Sequence, residues 1–165
     1  MKKRNIVLIL LIALGVITFL DRINISIASD SIMRDLDLSE SQWGWILSIF
    51  ILSYSLFQIP LGLWGDKKGQ RMVITFIVLW WSVFTGLTGM AGGFMSLLAI
   101  RFLFGLGEAG AYPNMTGTIG RWFPAKETGR AQGFIWAASR FGGALAPVSY
   151  THLRAHETND LISYA

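Results

Sequence analysis

The distribution of apolar residues predicts that this chain crosses a membrane several times. Long runs that are poor in charge recur along it, and short polar segments separate them. The three central runs are near or above the roughly 20 residues that a helix needs to span a bilayer. A bundle of soluble helices would need polar stripes, and the run from Met72 to Ala91 has no charged residue. The predicted helices lie at about 5–28, 43–64, 72–91, 94–120 and 131–147, the last one truncated.

The composition agrees with a membrane protein. Hydrophobic residues make up 53% of the 165 residues and charged residues only 15%, a balance that is unusual for a soluble domain. The net charge of +4 does not indicate nucleic-acid binding, because the basic residues form short clusters between apolar runs. Since there is no cysteine, disulfide frameworks and thiolate metal sites are excluded.

The positions of the basic clusters predict the orientation in the membrane. Lys and Arg stay preferentially on the cytoplasmic side. The clusters at Lys2–Arg4, Lys67–Arg71 and Arg121–Arg130 lie before the first predicted span, after the second and after the fourth, and therefore on one face, whereas the loop between the first two spans is acidic. We therefore expect a multi-pass protein of the cell inner membrane with a cytoplasmic N-terminus.

The two ends of the chain need separate interpretations. The start also resembles a secretory signal peptide, but Asp21 and Arg22 interrupt its apolar run and further long runs follow. The residues at 148–165 resemble translated read-through of a transposase-type sequencing adapter, so we interpret them as a non-native tail. His152 and His156, four residues apart, are then not a helical metal-ligand pair.

A short segment between the second and third predicted helices is dense in glycine and charge. Its notable residues are Gly62, Asp66, Lys67, Gly69 and Arg71. Glycine permits a tight turn, and a solvated loop that obeys the positive-inside rule is one interpretation. The spacing also resembles the loop signature of the major facilitator superfamily, with Gln70 where a second basic residue is common. That resemblance implies a conformational-switch loop and does not indicate the substrate.

The fourth predicted helix carries two charges, Arg101 and Glu108. Seven residues are two helical turns, so the two side chains share a face and are about 10 Å apart along the axis. A charge at membrane depth costs at least about 2.5 to 3.5 kcal/mol on insertion scales, which favours an internal cavity; a structural ion-pair network is the alternative. The G-x-G-x-x-G spacing from Gly105 to Gly110 matches dinucleotide-binding loops, but helix packing with a kink at Pro113 fits a membrane span better.

Other predicted spans also contain polar side chains. They are Asp21, Arg22 and Asn24 in the first, Tyr54 and Gln58 in the second, and Arg140 in the fifth. Tyr54 and Gln58 lie one turn apart and are alternatively ordinary interhelical hydrogen-bonding groups. The charged groups in the predicted spans are three arginines and two acids. This excess of positive charge favours binding of an anion.

Three segments together resemble the anion:cation symporter family within that superfamily. They are Asp21–Ser26, Arg101–Pro113 and Arg121–Pro124, and the resemblance covers nearly the whole chain up to Pro147. It implies an all-α membrane protein, the N-terminal part of a major facilitator superfamily fold with about four and a half of the six helices of its first half. It also implies transport of organic anions such as hexonates, aldarates and hexuronates, usually with protons.

The resemblance implies a role for each of five residues. Arg22 matches the basic group that meets the substrate carboxylate. Asp21 and Glu108 match the acidic pair linked to proton coupling, and Arg101 and Tyr54 match cavity residues.

Three further residues complete the predicted substrate-binding set, namely Asn24, Gln58 and Arg140. Phe19 stands where some sugar-acid carriers have a tyrosine. This departure leaves the recognition of sugar hydroxyls, and hence the exact anion, open.

The sequence therefore predicts a monomeric, proton-coupled carrier of a small organic anion. Protonation of an acid would favour anion binding and bound anion would favour protonation, while alternating access comes from rocking one half against the other. An uncoupled facilitator or exchanger of another solute class is the alternative. We expect no enzyme activity, metal or cofactor, because no His or Cys precedes Val148 and no catalytic constellation is visible.

Overall fold

The computed structural model describes residues 3–163, with side chains described for residues 3–144. Within these ranges the regular structure is helical and contains no strand. The helices are α1 (Lys3–Ile27), α2 (Ser29–Asp35), α3 (Glu40–Lys68), α4 (Gln70–Thr88), α5 (Phe94–Glu108), α6 (Ala111–Trp122) and α7 (Ala125–Ser163). Four described stretches are long and apolar enough to cross a membrane: α1, α3, α4, and α5 together with α6. The predicted all-α membrane fold is confirmed.

Two parts of the sequence-based interpretation fall on residues whose side chains are not described. Lys2, in the first basic cluster, lies outside the described residues. The side chains of the predicted tail, including His152 and His156, lie outside the described side chains. Both interpretations stay predictions.

The second span is longer than its apolar run, because both of its ends are capped. At its start, Ser39 and Gln42 form a capping box: the Ser39 side chain accepts from the Gln42 amide at 3.3 Å, and Gln42 Oε1 accepts from the Ser39 amide at 2.9 Å. At its end, Gly69 has φ 94°, a left-handed conformation that favours glycine. Between Gly62 and Arg71 only Gly69 lies outside a helix, so the predicted loop is a one-residue junction between α3 and α4.

The chain forms two compact units, Met1–Ser29 with Gly133–Ala165, and Asp30–Gln132. In the first unit, α1 and α7 approach closely through small residues of α7. A Cβ atom added to Gly142 would lie 2.6 Å from Val16 Cγ1, and one added to Gly143 would lie 2.7 Å from Ile23 Cδ1. Such close contact is the usual way in which membrane helices associate.

In the second unit, α5 and α6 pack against both α3 and α4. The buried apolar core includes Ile46, Val73, Ile77, Leu97, Phe104, Met115 and Ile119. The outer surface of α3 is apolar as well, with Ile51, Leu52, Leu56 and Ile59 all exposed. A contiguous exposed apolar face of this kind is rare on soluble monomers and fits contact with lipid.

A side-chain hydrogen bond joins α4 to α5. Trp80 Nε1 donates to the Leu103 carbonyl at 2.9 Å, and the indole ring lies against Gly107. We expect Trp80→Phe, which keeps a ring but removes the donor, to lower the free energy of unfolding by roughly 0.5 to 1 kcal/mol. The measurement is the unfolding temperature of the purified protein in detergent. Trp45→Phe is the control because Trp45 is 64% exposed, and an equal loss in both variants would contradict the prediction.

Candidate functional site

The buried stripe of α5 contains two charged side chains. Arg101 is 7% exposed and Glu108 is 0% exposed, and both lie on the face that also carries Leu97 and Phe104. The spacing of these four residues follows successive helical turns, so one stripe holds them all. The structure therefore places Arg101 and Glu108 inside the second unit rather than on its lipid-facing surface.

Aromatic rings connect Arg101 to α3. The guanidinium carbon of Arg101 lies 5.1 Å from the centre of the Phe104 ring, a distance at which a cation is attracted by the ring face. Phe104 contacts Phe50 with ring centres 5.9 Å apart, and Phe50 contacts Tyr54 at 6.1 Å. Arg101 and Tyr54 thus adjoin one aromatic cluster between α3 and α5. Gln58 is half-buried one turn beyond Tyr54.

The three glycines of the G-x-G-x-x-G pattern each lie against a different neighbour. A Cβ atom at Gly105 would lie 2.7 Å from the Phe50 carbonyl oxygen and would also meet the Ser53 hydroxyl. At Gly107 it would meet the Trp80 ring, and at Gly110 it would lie 2.8 Å from Leu61 Cβ. The pattern is therefore explained by close helix packing, as preferred from the sequence, and not by a nucleotide-binding loop.

The fourth predicted span is divided directly after Glu108. Helix α5 ends at that residue and α6 begins at Ala111. Because Pro113 has no amide hydrogen, it cannot donate to the carbonyl of Ala109 four residues before it. The kink predicted from Pro113 is thus a short interruption between two helices.

Asn114 connects this interruption to α3 and was missed by sequence reasoning. Its side chain is 1% exposed, and Nδ2 donates to the Gly110 carbonyl at 2.7 Å and to the Leu61 carbonyl of α3 at 3.1 Å. An amide within an apolar run, directly after a proline, is the signal that could have identified it. Gly65 was missed too, and a Cβ atom there would collide with Asn114 Oδ1.

The signature residues between α3 and α4 contact α6. Asp66 Oδ1 accepts from Gln70 Nε2 at 3.0 Å, and the Asp66 carbonyl accepts from Arg121 Nη2 at 3.5 Å. The Gln70 side chain is buried, and its amide would lie 2.6 Å from a Cβ atom at Gly117. Gln70 is thus a buried side-chain partner of Asp66. In the sequence it was visible only as a departure from the signature.

The other signature residues differ in their surroundings. A Cβ atom at Gly62 would lie 3.0 Å from Pro113 Cβ, so this glycine allows α3 and α6 to approach. Lys67 and Arg71 are exposed, and Gly69 forms the junction.

The remaining predicted site residues belong to the first unit. Asp21 and Arg22 are half-buried on α1, whereas Asn24 on α1 and Arg140 on α7 are exposed. The Phe19 ring lies against α7, with Cδ1 3.3 Å from a Cβ atom added to Gly143. Among the side chains of residues 3–144, no three His, Cys, Asp or Glu residues are grouped as metal ligands.

Apolar spans with charged groups packed inside them define the class of the protein, a multi-pass membrane protein. The chain belongs to the major facilitator superfamily, since the sequence profile described as Major Facilitator Superfamily matches residues 10–153. This match confirms the family predicted from the signature, and the relatives described next are transporters rather than enzymes. It continues past Pro147 into the predicted tail.

Curated relatives agree with the narrower resemblance. The chain is 38% identical over 146 residues to the probable sulfoacetate transporter SauU of Cupriavidus necator, covering 88% of this chain and 34% of that protein. It is 38% identical over 140 residues to a probable L-galactonate transporter of Escherichia coli, covering 85% and 31%. It is 36% identical over 144 residues to the hexuronate transporter of Bacillus subtilis, covering 87% and 34%.

A solved structure shows the same fold. A bacterial homologue of the human lysosomal transporter Spinster, in an inward-facing and unoccupied conformation, superposes with a TM-score of 0.83 and 32% identity. The match covers 88% of this chain and 31% of that structure. The chain thus spans about a third of the length of the relatives it matches.

Proposed function

We propose that this chain is the N-terminal part of a secondary active transporter that carries a small organic anion across the inner membrane by proton symport. The substrate class is a sugar acid or a related carboxylate, or the chemically similar sulfonate, because relatives at 36 to 38% identity are named for hexuronate, L-galactonate and sulfoacetate. The observation that carries the proposal is the pair of buried charges on α5, Arg101 and Glu108.

The arginine supplies a reason for anion selectivity. A buried charge in a membrane span is costly, by at least about 2.5 to 3.5 kcal/mol on insertion scales, and is usually found where an ion or substrate passes. The guanidinium has donors in a rigid fork that matches a carboxylate. The Phe104 ring contacts the guanidinium of Arg101 and helps to fix its position on α5. Arg22 of α1 is the second proposed partner of the anion.

The acid supplies a reason for coupling. Glu108 lies two turns from Arg101, about 10 Å along the helix axis. At that distance, and at an effective dielectric constant of about 20, a carboxylate and a bound anion repel by about 1.7 kcal/mol. Protonation of Glu108 removes this repulsion, so proton and anion favour each other's binding. Asp21 is proposed to assist in the same way from α1.

The proposed topology places the N-terminus in the cytoplasm. Exposed basic residues accompany the α3–α4 junction and the end of α6, among them Lys67, Arg71 and Arg121. Arg121 donates to the Asp66 carbonyl, so these two regions lie at one end of the second unit. By the positive-inside rule that end is cytoplasmic. The transporter acts as a monomer in the bilayer, with the anion and protons as its partners.

Uptake by the whole transporter tests the proposal. Proteoliposomes that contain it are given labelled galactonate, hexuronate or sulfoacetate with an inward proton gradient, with and without a protonophore. We expect accumulation above the external concentration, and its loss with the protonophore. Accumulation that the protonophore leaves unchanged would support the uncoupled alternative. Uptake of all three anions no greater than in empty vesicles would overturn the proposed substrate class.

A further inference from the structure

We propose that Asn114 is a positioning residue that fixes Glu108 relative to α3. The inference rests on the proposed function of Glu108 in proton coupling. It assigns to Asn114 a part in transport without contact with the substrate or the proton.

The first step concerns the break between α5 and α6 that follows Glu108. Helix α5 ends at this residue, and α6 begins only at Ala111. Pro113 removes one of the backbone hydrogen bonds that would make the span continuous. The position of Glu108 relative to α3 therefore depends on how the residues that follow it are held.

The second step is the connection that Asn114 provides. Its Nδ2 group donates to Gly110 within the interruption and to Leu61 on α3, which is 53 residues away in sequence. The interruption is therefore tied to the neighbouring helix through one buried amide. Few other side chains could make both bonds, because a hydroxyl has a single hydrogen to donate and a carboxylate has none.

The third step is the close fit around the amide. Gly65 leaves space for Asn114 Oδ1, and Gly62 allows Pro113 to approach α3. Both glycines belong to the segment that ends at the α3–α4 junction. Asn114 lies six residues beyond Glu108, about 9 Å along a helix axis, so a shift of α6 against α3 would be transmitted to the acid.

A double-mutant cycle in the whole transporter tests the inference. The variants are Asn114→Ala, Glu108→Gln and the double variant, with proton-driven accumulation and substrate exchange measured in proteoliposomes. We expect N114A to reduce accumulation by at least about threefold, while the KM of exchange stays within about twofold. The double variant should be no worse than E108Q alone, because a residue that acts through Glu108 has nothing left to position.

The control is Thr118→Val on the same helix. Thr118 Oγ1 donates to the Asn114 backbone carbonyl, a bond within α6 that does not reach α3. T118V should therefore accumulate substrate like the wild type. Wild-type accumulation in N114A would overturn the positioning role. The role would also be overturned if N114A lost substrate exchange and accumulation equally and if these losses added to those of E108Q in the double variant.

A second measurement does not depend on transport. Hydrogen–deuterium exchange of the backbone amides of residues 109–112, in detergent, should be faster in N114A than in the wild type and unchanged in T118V. Unchanged hydrogen–deuterium exchange in N114A overturns the inference even if the anion proposal holds. Faster hydrogen–deuterium exchange in N114A supports the inference even if none of the three anions is transported. If N114A does not fold, Asn114→Ser keeps one donor and is expected to show intermediate exchange, whereas wild-type exchange in it overturns the inference.

Discussion

Replacing Gly105 by alanine is expected to destabilise the protein by about 2 to 3 kcal/mol, toward the upper end of the range for overpacking a tight contact. The added Cβ atom would lie 2.7 Å from the Phe50 carbonyl oxygen and 3.0 Å from the Phe50 ring, and it would meet the Ser53 hydroxyl. A backbone carbonyl cannot move aside unless α3 itself moves. The measurement is the unfolding temperature in detergent, together with the yield of monodisperse protein.

Gly86→Ala is the matched control for this substitution. Gly86 also lies in a helix, α4, but no atom lies within 4 Å of a Cβ atom placed there. Alanine is a better helix former than glycine, so G86A should be neutral or up to about 1 kcal/mol more stable. Similar unfolding temperatures for G105A and G86A would show that the contact between α3 and α5 is looser than described.

Replacing Glu108 by glutamine is expected to lower proton-driven accumulation at least about tenfold and to leave substrate exchange active. Glutamine has nearly the same shape, so it fits a site with 0% exposure without a cavity or a clash. It resembles the protonated acid permanently and cannot release a proton. Anion binding therefore survives, whereas the link between proton and anion is removed.

The comparison for E108Q is Glu40→Gln. Glu40 is exposed in the first turn of α3, so the same chemical change there should leave both accumulation and exchange unchanged. Counterflow and gradient-driven uptake, measured in the same vesicle preparations, separate the two activities. Normal accumulation by E108Q would mean that another group carries the proton and that Glu108 has a structural role.

The spans could be predicted from sequence because the bilayer leaves few choices. A backbone within lipid must satisfy its hydrogen bonds internally, so an apolar run of sufficient length becomes a helix. The ends of these helices were less predictable, because the apolar runs and the helices do not end at the same residues. Helix α3 continues through basic residues to Lys68, and the capping box at Ser39 begins it before Trp43.

The inside of the candidate site could be predicted only in part. The spacing of Arg101 and Glu108 fixes their common face, and the structure buries both. Arg140 carries the same kind of charge in a predicted span but is exposed on α7. Whether a side chain is buried depends on which helix packs against it, and the position of a residue in the sequence does not show this. The role of Asn114 was hidden for the same reason, since its partner on α3 is far away in sequence.

The Gln70 amide has a consequence for the behaviour of the transporter in changing ionic conditions. Dissolved ions weaken the attraction between two opposite charges near a protein surface, but they weaken a hydrogen bond from a neutral, buried amide far less. Asp66 is held by such an amide at a place where a basic residue is common in the superfamily. The junction between α3 and α4 should therefore keep its geometry when the surrounding salt concentration rises.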